Sequence, residues 1–201
     1  MPLSLGGIVR YNVANLAGAA LAGFGLGVSS QHIAAVLANF GRDNADNRGR
    51  LERWRIDGVQ VWLDYAHNPE GLAGLLHATA ARRGAARLGL ILGQAGNRED
   101  ADIRELARVA AGYRPDRVVL KDIEGYERGR HSGEIAALMR QTLHAEGIAT
   151  AAIDFVPDEV EATRALLDWA RPGDVLVLPI HGYAAKDRII ALLDGLAGTR
   201  G

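Results

Sequence analysis

One alternation narrows the fold of this chain more than any other feature. Short apolar runs, "LERWRI", "VQVWLDY", "RLGLILG", "RVVLKD", "TAAIDF" and "DVLVLPI", are separated by stretches of helical periodicity near 70–83, 99–112, 132–146, 157–170 and 185–197. A strand that is apolar on both faces needs a cover on both, and a helix between successive strands makes them parallel. The spacing therefore predicts an α/β fold: a Rossmann-like, mainly parallel sheet with helices on both faces. Only Asp57-Gly58 separates the first two runs. A two-residue connection of that type closes a hairpin, so one edge of the sheet is expected to be antiparallel.

Upstream the pattern differs. Residues 11–40, "YNVANLAGAALAGFGLGVSSQHIAAVLANF", read as two helices joined near Gly25–Ser30, with Ser29 or Ser30 as the cap of the second. Two helices cannot enclose a core of their own. The following "GRDNADNRG" has Ala45 as its only apolar side chain and reads as a linker. The expected organisation is a helical segment over 1–40, a linker over 41–49 and the α/β domain over 50–201. The run Val13–Val28, "VANLAGAALAGFGLGV", is shorter than the roughly 20 residues that span a bilayer, is rich in glycine and leads into no cleavage site. It is read as a buried helix, and no membrane association is expected.

Composition excludes several functions. The net charge is -1 with acids and bases intermixed, so nucleic acid is not an expected partner. The chain has no cysteine, which removes disulfides, thiolate metal sites and cysteine nucleophiles and accords with a cytoplasmic location. Histidines 32, 67, 77, 131, 144 and 181 form no zinc-binding spacing, and no metal ligands are expected within the chain.

Ligands of open parallel sheets collect beyond the carboxyl ends of the strands. Four polar loops fall there: 64–68, 93–98, 121–130 and 181–186. In "DYAHNP", Pro69 suits the first helical turn and Asn68 can cap it. Asp64 and His67 are left unexplained by that local reading. A carboxylate at this point could accept the hydroxyls of a ribose, and an imidazole with an amide could meet a purine or a phosphate. The loop "GQAGNRED" sets two glycines, Asn97 and Arg98 before a helix, which suits an anion, although ordinary strand-to-helix turning needs no more.

"DYAHNP" closely resembles the signature that opens the C-terminal domain of the Mur ligase superfamily, which includes peptidoglycan amino-acid ligases, folylpolyglutamate synthase and cyanophycin synthetase. "GRLE", 49–52, resembles the entry into that domain, and "YNVANLAGAALA", 11–22, the asparagine-bearing helix that ends the central ATPase domain. "LILGQAGNREDADIRELARVAA" and "VVLKDIEGYERGRHSGEIAALM" look most like cyanophycin synthetase and its relatives, with Asn97 where an aspartate is usual; "HGYAAKDR" departs from that pattern.

The resemblance implies a chemistry in which ATP phosphorylates a carboxylate, an amine attacks the acyl phosphate and an amide forms. Carried over by position, Asn12 and Asn15 resemble the adenine-side asparagines, Arg50 the phosphate-reaching arginine, Asp64 the ribose-side carboxylate, and His67 and Asn68 neighbouring contacts. Helix packing, a surface ion pair and loop ordering are the local alternatives for Asn12 or Asn15, Arg50 and His67. Arg128 and Arg130 have the fork geometry to grip the carboxylate of an incoming amino acid, or belong to a solvated loop. Arg98, His181 and Lys186 complete the substrate-side candidates.

The chain contains no Gly-x-x-Gly-Lys-Ser/Thr loop and none of the central-domain segment that bears the family's magnesium-binding acids and carbamylated lysine. The expectation is the C-terminal portion of an ATP-dependent amide ligase, inactive by itself. Its partners would be ATP with magnesium (Mg2+), an amino acid, and the central and N-terminal domains of the ligase, with self-association through the apolar first helices. A non-catalytic nucleotide-binding or scaffold module and an unrelated Rossmann-like enzyme remain as alternatives.

Overall fold

The computed structural model describes residues 1–198; residues 199–201, the last of the 50–201 segment, lie outside it. The apolar runs assemble into one six-stranded sheet of order β1-β2-β6-β3-β4-β5. β1 (Glu52–Ile56) and β2 (Val59–Asp64) pair antiparallel, while β3 (Leu88–Leu92), β4 (Arg117–Leu120), β5 (Ile153–Phe155) and β6 (Val175–Pro179) join by parallel pairing. Asp57 and Gly58 both take positive φ, 48° and 81°. This is the primed turn whose twist matches that of the flanking strands. In "TAAIDF", Thr150–Ala152 form a 3₁₀ turn instead of the expected start of a strand, and the pairing with β4 begins at Ile153, opposite Val118.

Helices α1 (Arg10–Gly25) and α2 (Ser30–Asn39) precede the sheet, followed by α3 (Pro69–Arg83), α4 (Asp100–Gly112), α5 (Glu134–Ala145), α6 (Glu159–Trp169) and α7 (Tyr183–Gly198). Alternation along the strands assigns the faces. Leu88, Leu90 and Leu92 pack with residues of α3, α4 and α5, whereas Ile91, Leu176 and Leu178 pack with those of α6 and α7. Each such leucine, removed from water, contributes about 1.5–3 kcal/mol. Ser29 Oγ caps α2 by accepting the His32 N–H.

The route of the chain positions the site. β6 returns into the slot between β2 and β3. Its outgoing loop therefore rises between the loops that leave those two strands, and the β4 loop stands next along the same rim.

The expectation of a buried helix over Val13–Val28 is corrected. α1 buries only Asn12 and Leu16 and α2 buries nothing, while Leu21, Phe24 and Leu26 are 73%, 68% and 85% exposed. Hydrophobic content made the segment helical, but no described element packs over that face. No helix among the described residues is long and apolar enough to cross a membrane.

Candidate functional site

Asp64 ends β2 and is buried. Its Oδ2 accepts the N–H of Leu51 and its Oδ1 that of Ala66, each at 2.8 Å. Leu51 has a positive φ of 51°, a conformation that persists when neighbouring contacts hold it. The carboxylate thus ties the turn that carries Arg50 to the loop that carries His67. Burial raises the Asp64 pKa, against the backbone N–H donors of Ala66 and Leu51 and the charge of Arg50. The Arg50 guanidinium lies 4.5 Å from the centre of the Tyr65 ring. Asn68 accepts the Gly71 N–H at 2.7 Å and so caps α3, with Pro69 in its first turn.

Between the start of α1 and this loop lies a cavity of about 680 Å³, lined by Asn12, Asn15, Arg50, Asp64, His67 and Asn68 together with Tyr11. Its size is that of a small-molecule site. The Tyr11 hydroxyl is buried without a hydrogen-bond partner. Burial, then the Asp64 charge, raises its pKa, so it keeps its proton as an unused donor. The ring is held against α3, where a Cβ on Gly74 would come within 2.7 Å of it. Asn12 spends one amide proton on the Leu3 carbonyl at 3.0 Å, whereas Asn15 is exposed.

A second cavity, about 190 Å³, opens on the other side of His67. Tyr65, His67, Asn97, Arg98, Arg128 and His181 are among its lining residues, and no carboxylate is. Its loops are stitched together: Gln94 Nε2 donates to the His67 carbonyl at 3.0 Å and Gly96 N–H to the Tyr126 carbonyl at 2.8 Å. Arg130 braces them further, donating to the carbonyls of Gly96 and Arg98 and to Asp100 and Glu134. Among the described residues Arg98 and Arg128 form no ion pair. Arg128 takes a positive φ of 50° and its guanidinium lies 5.1 Å from the Tyr126 ring centre. The His67 pKa is lowered by burial first, then by Arg98 and Arg50, which leaves the ring neutral at neutral pH.

Behind this cavity Lys121, at the end of β4, is fully buried, ion-paired with Glu159 and 3.0 Å from Nδ1 of His181. Glu159 also accepts the N–H groups of His181 and Gly182, at 3.0 and 2.8 Å. A third cavity, about 560 Å³, lies over the edge hairpin beside Arg42, Arg53 and Arg82; it shares no lining residue with the other two.

A family model described as "Mur ligase, glutamate ligase domain" matches residues 49–179. The chain belongs to the Mur ligase family. It is 31% identical over 180 residues to cyanophycin synthetase of Synechocystis sp., which covers 89% of this chain and 20% of that protein. To the UDP-N-acetylmuramoyl-L-alanyl-D-glutamate–2,6-diaminopimelate ligase of Chlorobaculum tepidum it is 30% identical over 184 residues, covering 89% of this chain and 34% of that one. The chain spans about a fifth of the length of the cyanophycin synthetases it matches. Among solved structures, E. coli FolC in complex with DHPP and ADP aligns with a TM-score of 0.60 at 17% identity, covering 84% of this chain and 35% of that one. A murein peptide ligase from Psychrobacter arcticus aligns with a TM-score of 0.57 at 19% identity, covering 90% and 36%. These two show a shared fold.

In this Mur ligase chain the residues singled out from sequence divide into groups. Asn12, Asn15, Arg50, Asp64, His67 and Asn68 line the larger cavity; Arg98, Arg128 and His181 line the smaller, and His67 belongs to both. Arg130 is outside the lining of either, as the brace between loops. Lys186 packs beside Gly49, with its ammonium 5.2 Å from the Tyr183 ring centre, and lines neither cavity. Sequence reasoning missed Tyr11, although it stands next to Asn12 in the same motif. It also missed Tyr65, inside the quoted hexapeptide, and the Lys121–Glu159 pair, whose members are 38 positions apart with no local pattern to join them.

Proposed function

We propose that this chain is the C-terminal portion of an ATP-dependent amide ligase of cyanophycin synthetase-like type, which closes over the nucleotide and positions the incoming amino acid. One observation carries the reading: two cavities of different chemistry meet at His67. The larger suits the nucleoside side of ATP. Asn15 and the unpaired Tyr11 hydroxyl supply partners for a base, and each Asp64 oxygen keeps acceptor capacity for ribose hydroxyls after taking one N–H. Arg50 is available to the phosphates. Asn12 and Asn68 hold the N-terminal turn and the α3 cap, and so shape the walls.

The smaller cavity suits the carboxylate of the amine substrate, gripped by Arg98 and Arg128, with Arg130 fixing the loops that present them. ATP would supply the activation of the acceptor carboxylate. This chain's part is to bring the amine close to the activated group and keep it oriented, a contribution of proximity. Among the described residues no three His, Cys, Asp or Glu side chains gather to hold a metal ion.

On this reading residues 1–40 are the helical end of the central ATPase domain, 41–49 a linker and 50–201 the C-terminal domain. The exposed apolar face of α1 and α2 is then the surface the rest of the ligase covers, and in its absence it drives self-association. Closure of such a domain completes a site only when substrates are bound. The test is a nucleotide titration of the 201-residue chain followed by NMR and calorimetry. ADP is expected to shift the resonances of Asn15, Arg50 and His67, and Arg50→Ala or Tyr11→Phe to weaken binding. Shifts confined to the hairpin cavity beside Arg53 would defeat the assignment. In an amide-forming assay the longer ligase is expected to be active and this chain alone inactive.

A further inference from the structure

The third cavity, over the edge hairpin, is unused by the function proposed above. One wall is the face of β1 and β2 that carries Arg53, Arg55, Gln60 and Trp62, with Arg53 opposite Trp62 and Arg55 opposite Gln60. Arg42 reaches it from the linker and Arg82 from the last turn of α3. Among the described residues none of these four arginines forms an ion pair. Asp43 is the single acid in the lining, and its Oδ1 already accepts the Ala45 N–H at 2.8 Å, capping the 3₁₀ turn Asn44–Asn47. In a chain of net charge -1, four unpaired guanidiniums around one hollow are a local concentration of positive charge. Arg53 registers it: burial first, and then the charge of Arg82, lowers its pKa. An anion in the hollow would relieve that repulsion.

Protection of a sheet edge explains part of this. Charges on an edge strand deter pairing with a foreign chain, which accounts for Arg53 and Arg55 on β1. It does not account for Arg42 and Arg82, which other elements deliver to the same hollow. The edge is also only half covered. Asn44 takes the place of a neighbouring strand at Arg53: its Nδ2 donates to the Arg53 carbonyl and its Oδ1 accepts the Arg53 N–H, both at 3.1 Å. Arg53 thus turns both backbone groups away from β2, and in an antiparallel ladder the residue two places on does the same. Gln60, opposite Arg55, accordingly sends its N–H the other way, to the Asp174 carbonyl at 2.9 Å. The outward N–H and C=O of Arg55 have no partner among the described residues. An extended chain laid there would bond to both and stop at Asn44. Its side chains on the cavity face would stand beside Arg55 and diagonally across from Arg53, where carboxylates can meet the guanidiniums as forked pairs. A compact anion such as phosphate would leave that edge unused and fill little of a hollow of about 560 Å³.

We propose that the hairpin cavity is a docking site for an extended acidic peptide segment, whose carboxylates pair with Arg42, Arg53, Arg55 and Arg82 and whose backbone joins the open edge of β1 at Arg55. The site stands apart from the rim where the other two cavities meet, and shares no lining residue with them. Gln60 precedes Asp64 by four strand residues, about 13 Å, and Arg82 lies at the far end of the helix that Asn68 caps. The occupant is therefore held away from the proposed nucleotide, and the inference is independent of how the other two cavities are used.

The full 201-residue chain tests it by calorimetry and amide NMR with three capped peptides: one alternating aspartate with serine, its asparagine counterpart, and one with the same aspartates gathered in a block. The alternating peptide should bind about tenfold or more tightly than the asparagine peptide, and its affinity should fall as salt is added. It should bind more tightly than the block peptide, move the amide resonances of Asn44, Arg55 and Gln60, and slow exchange of the Arg55 amide. Arg53→Ser combined with Arg55→Ser, both at exposed positions, should weaken binding about tenfold or more. Arg42→Ser combined with Arg82→Ser, outside the sheet, should weaken it several-fold, and repeats the test should the strand variant lose structure. The proposal is overturned if the alternating peptide does not bind, if the asparagine or block peptide binds equally well, or if its shifts fall outside the hairpin. Affinity that survives both arginine pairs, or tripolyphosphate binding as tightly as the peptide, overturns it as well. Shifts at Asn15 and His67 on adding ADP decide the function proposed above separately.

Discussion

Replacing Lys121 by Met gives the sharpest test of how the buried cluster is held. Lys121 is 0% exposed and its partner Glu159 has a side chain 3% exposed, so neither charge has access to water. Methionine fills the space of the lysine stem and leaves no large void. What changes is electrostatic: Glu159 keeps only the N–H groups of His181 and Gly182, and His181 Nδ1 loses its donor. Removing one partner of a buried pair costs about 3–5 kcal/mol, and the two remaining N–H bonds argue for the lower end. Adding Glu159→Gln removes the stranded charge. The glutamine carbonyl still accepts one of the two N–H groups and the other is orphaned, for a net cost of about 1–3 kcal/mol. The double variant should therefore be more stable than the single one by about 1 kcal/mol or more. Urea unfolding followed by the fluorescence of Trp54, Trp62 and Trp169 measures this. With a slope of about 1–3 kcal/mol per molar urea, the single variant should unfold at a midpoint lower by roughly 1 M or more. A double variant no more stable than the single, or a single variant indistinguishable from wild type, would refute the buried-pair argument.

Two further outcomes follow from the geometry. At Gly96 an added Cβ would collide with the backbone carbonyl oxygen of Glu127, which cannot swing aside as a side chain can. Gly96→Ala should part the β3–α4 and β4–α5 loops, break the Gly96 N–H bond to Tyr126 and cost about 1–3 kcal/mol; unchanged amide exchange at Gly96 together with unchanged stability would show that the loops are not in contact. Stability should also depend on pH with a defined sign. Burial and then Lys121 hold the His181 pKa well below 6.5, and burial and then Arg98 lower that of His67. Below about pH 6.5 the unfolded chain binds protons that the folded chain does not, so unfolding free energy should fall as pH drops through that region and be regained above it. Asp64, raised above 3.8, contributes with the opposite slope at lower pH. Unfolding curves between about pH 7.5 and 5.5 check the sign, and His181→Phe should flatten the slope; a wild type with no slope contradicts the assignment.

Much of the architecture was legible because it depends on neighbours in sequence. The hairpin at Asp57-Gly58 follows from two residues that tolerate positive φ, and the α3 start from Asn68 and Pro69. The parallel strands follow from apolar runs spaced by helices. Patterning was less informative where it had to say what covers a surface. Val13–Val28 has the composition of a buried helix and forms a helix, yet Leu21 and Phe24 face solvent. In "TAAIDF" the sequence predicts strand throughout, whereas Thr150–Ala152 form a 3₁₀ turn and only Ile153–Phe155 pair with β4.

The sequence by itself determined the elements, the rim on which the polar loops stand and the identity of the groups on them. Only the tertiary structure decided how those groups divide: that His67 is common to two cavities, that Arg130 braces loops while Arg98 and Arg128 line the smaller cavity, and that Lys121 and Glu159 reach His181 from separate elements. The reason is physical. Turns, caps and periodicity are set within a few residues, whereas these contacts exist because β6 enters the sheet between β2 and β3, a choice made by packing across the whole chain.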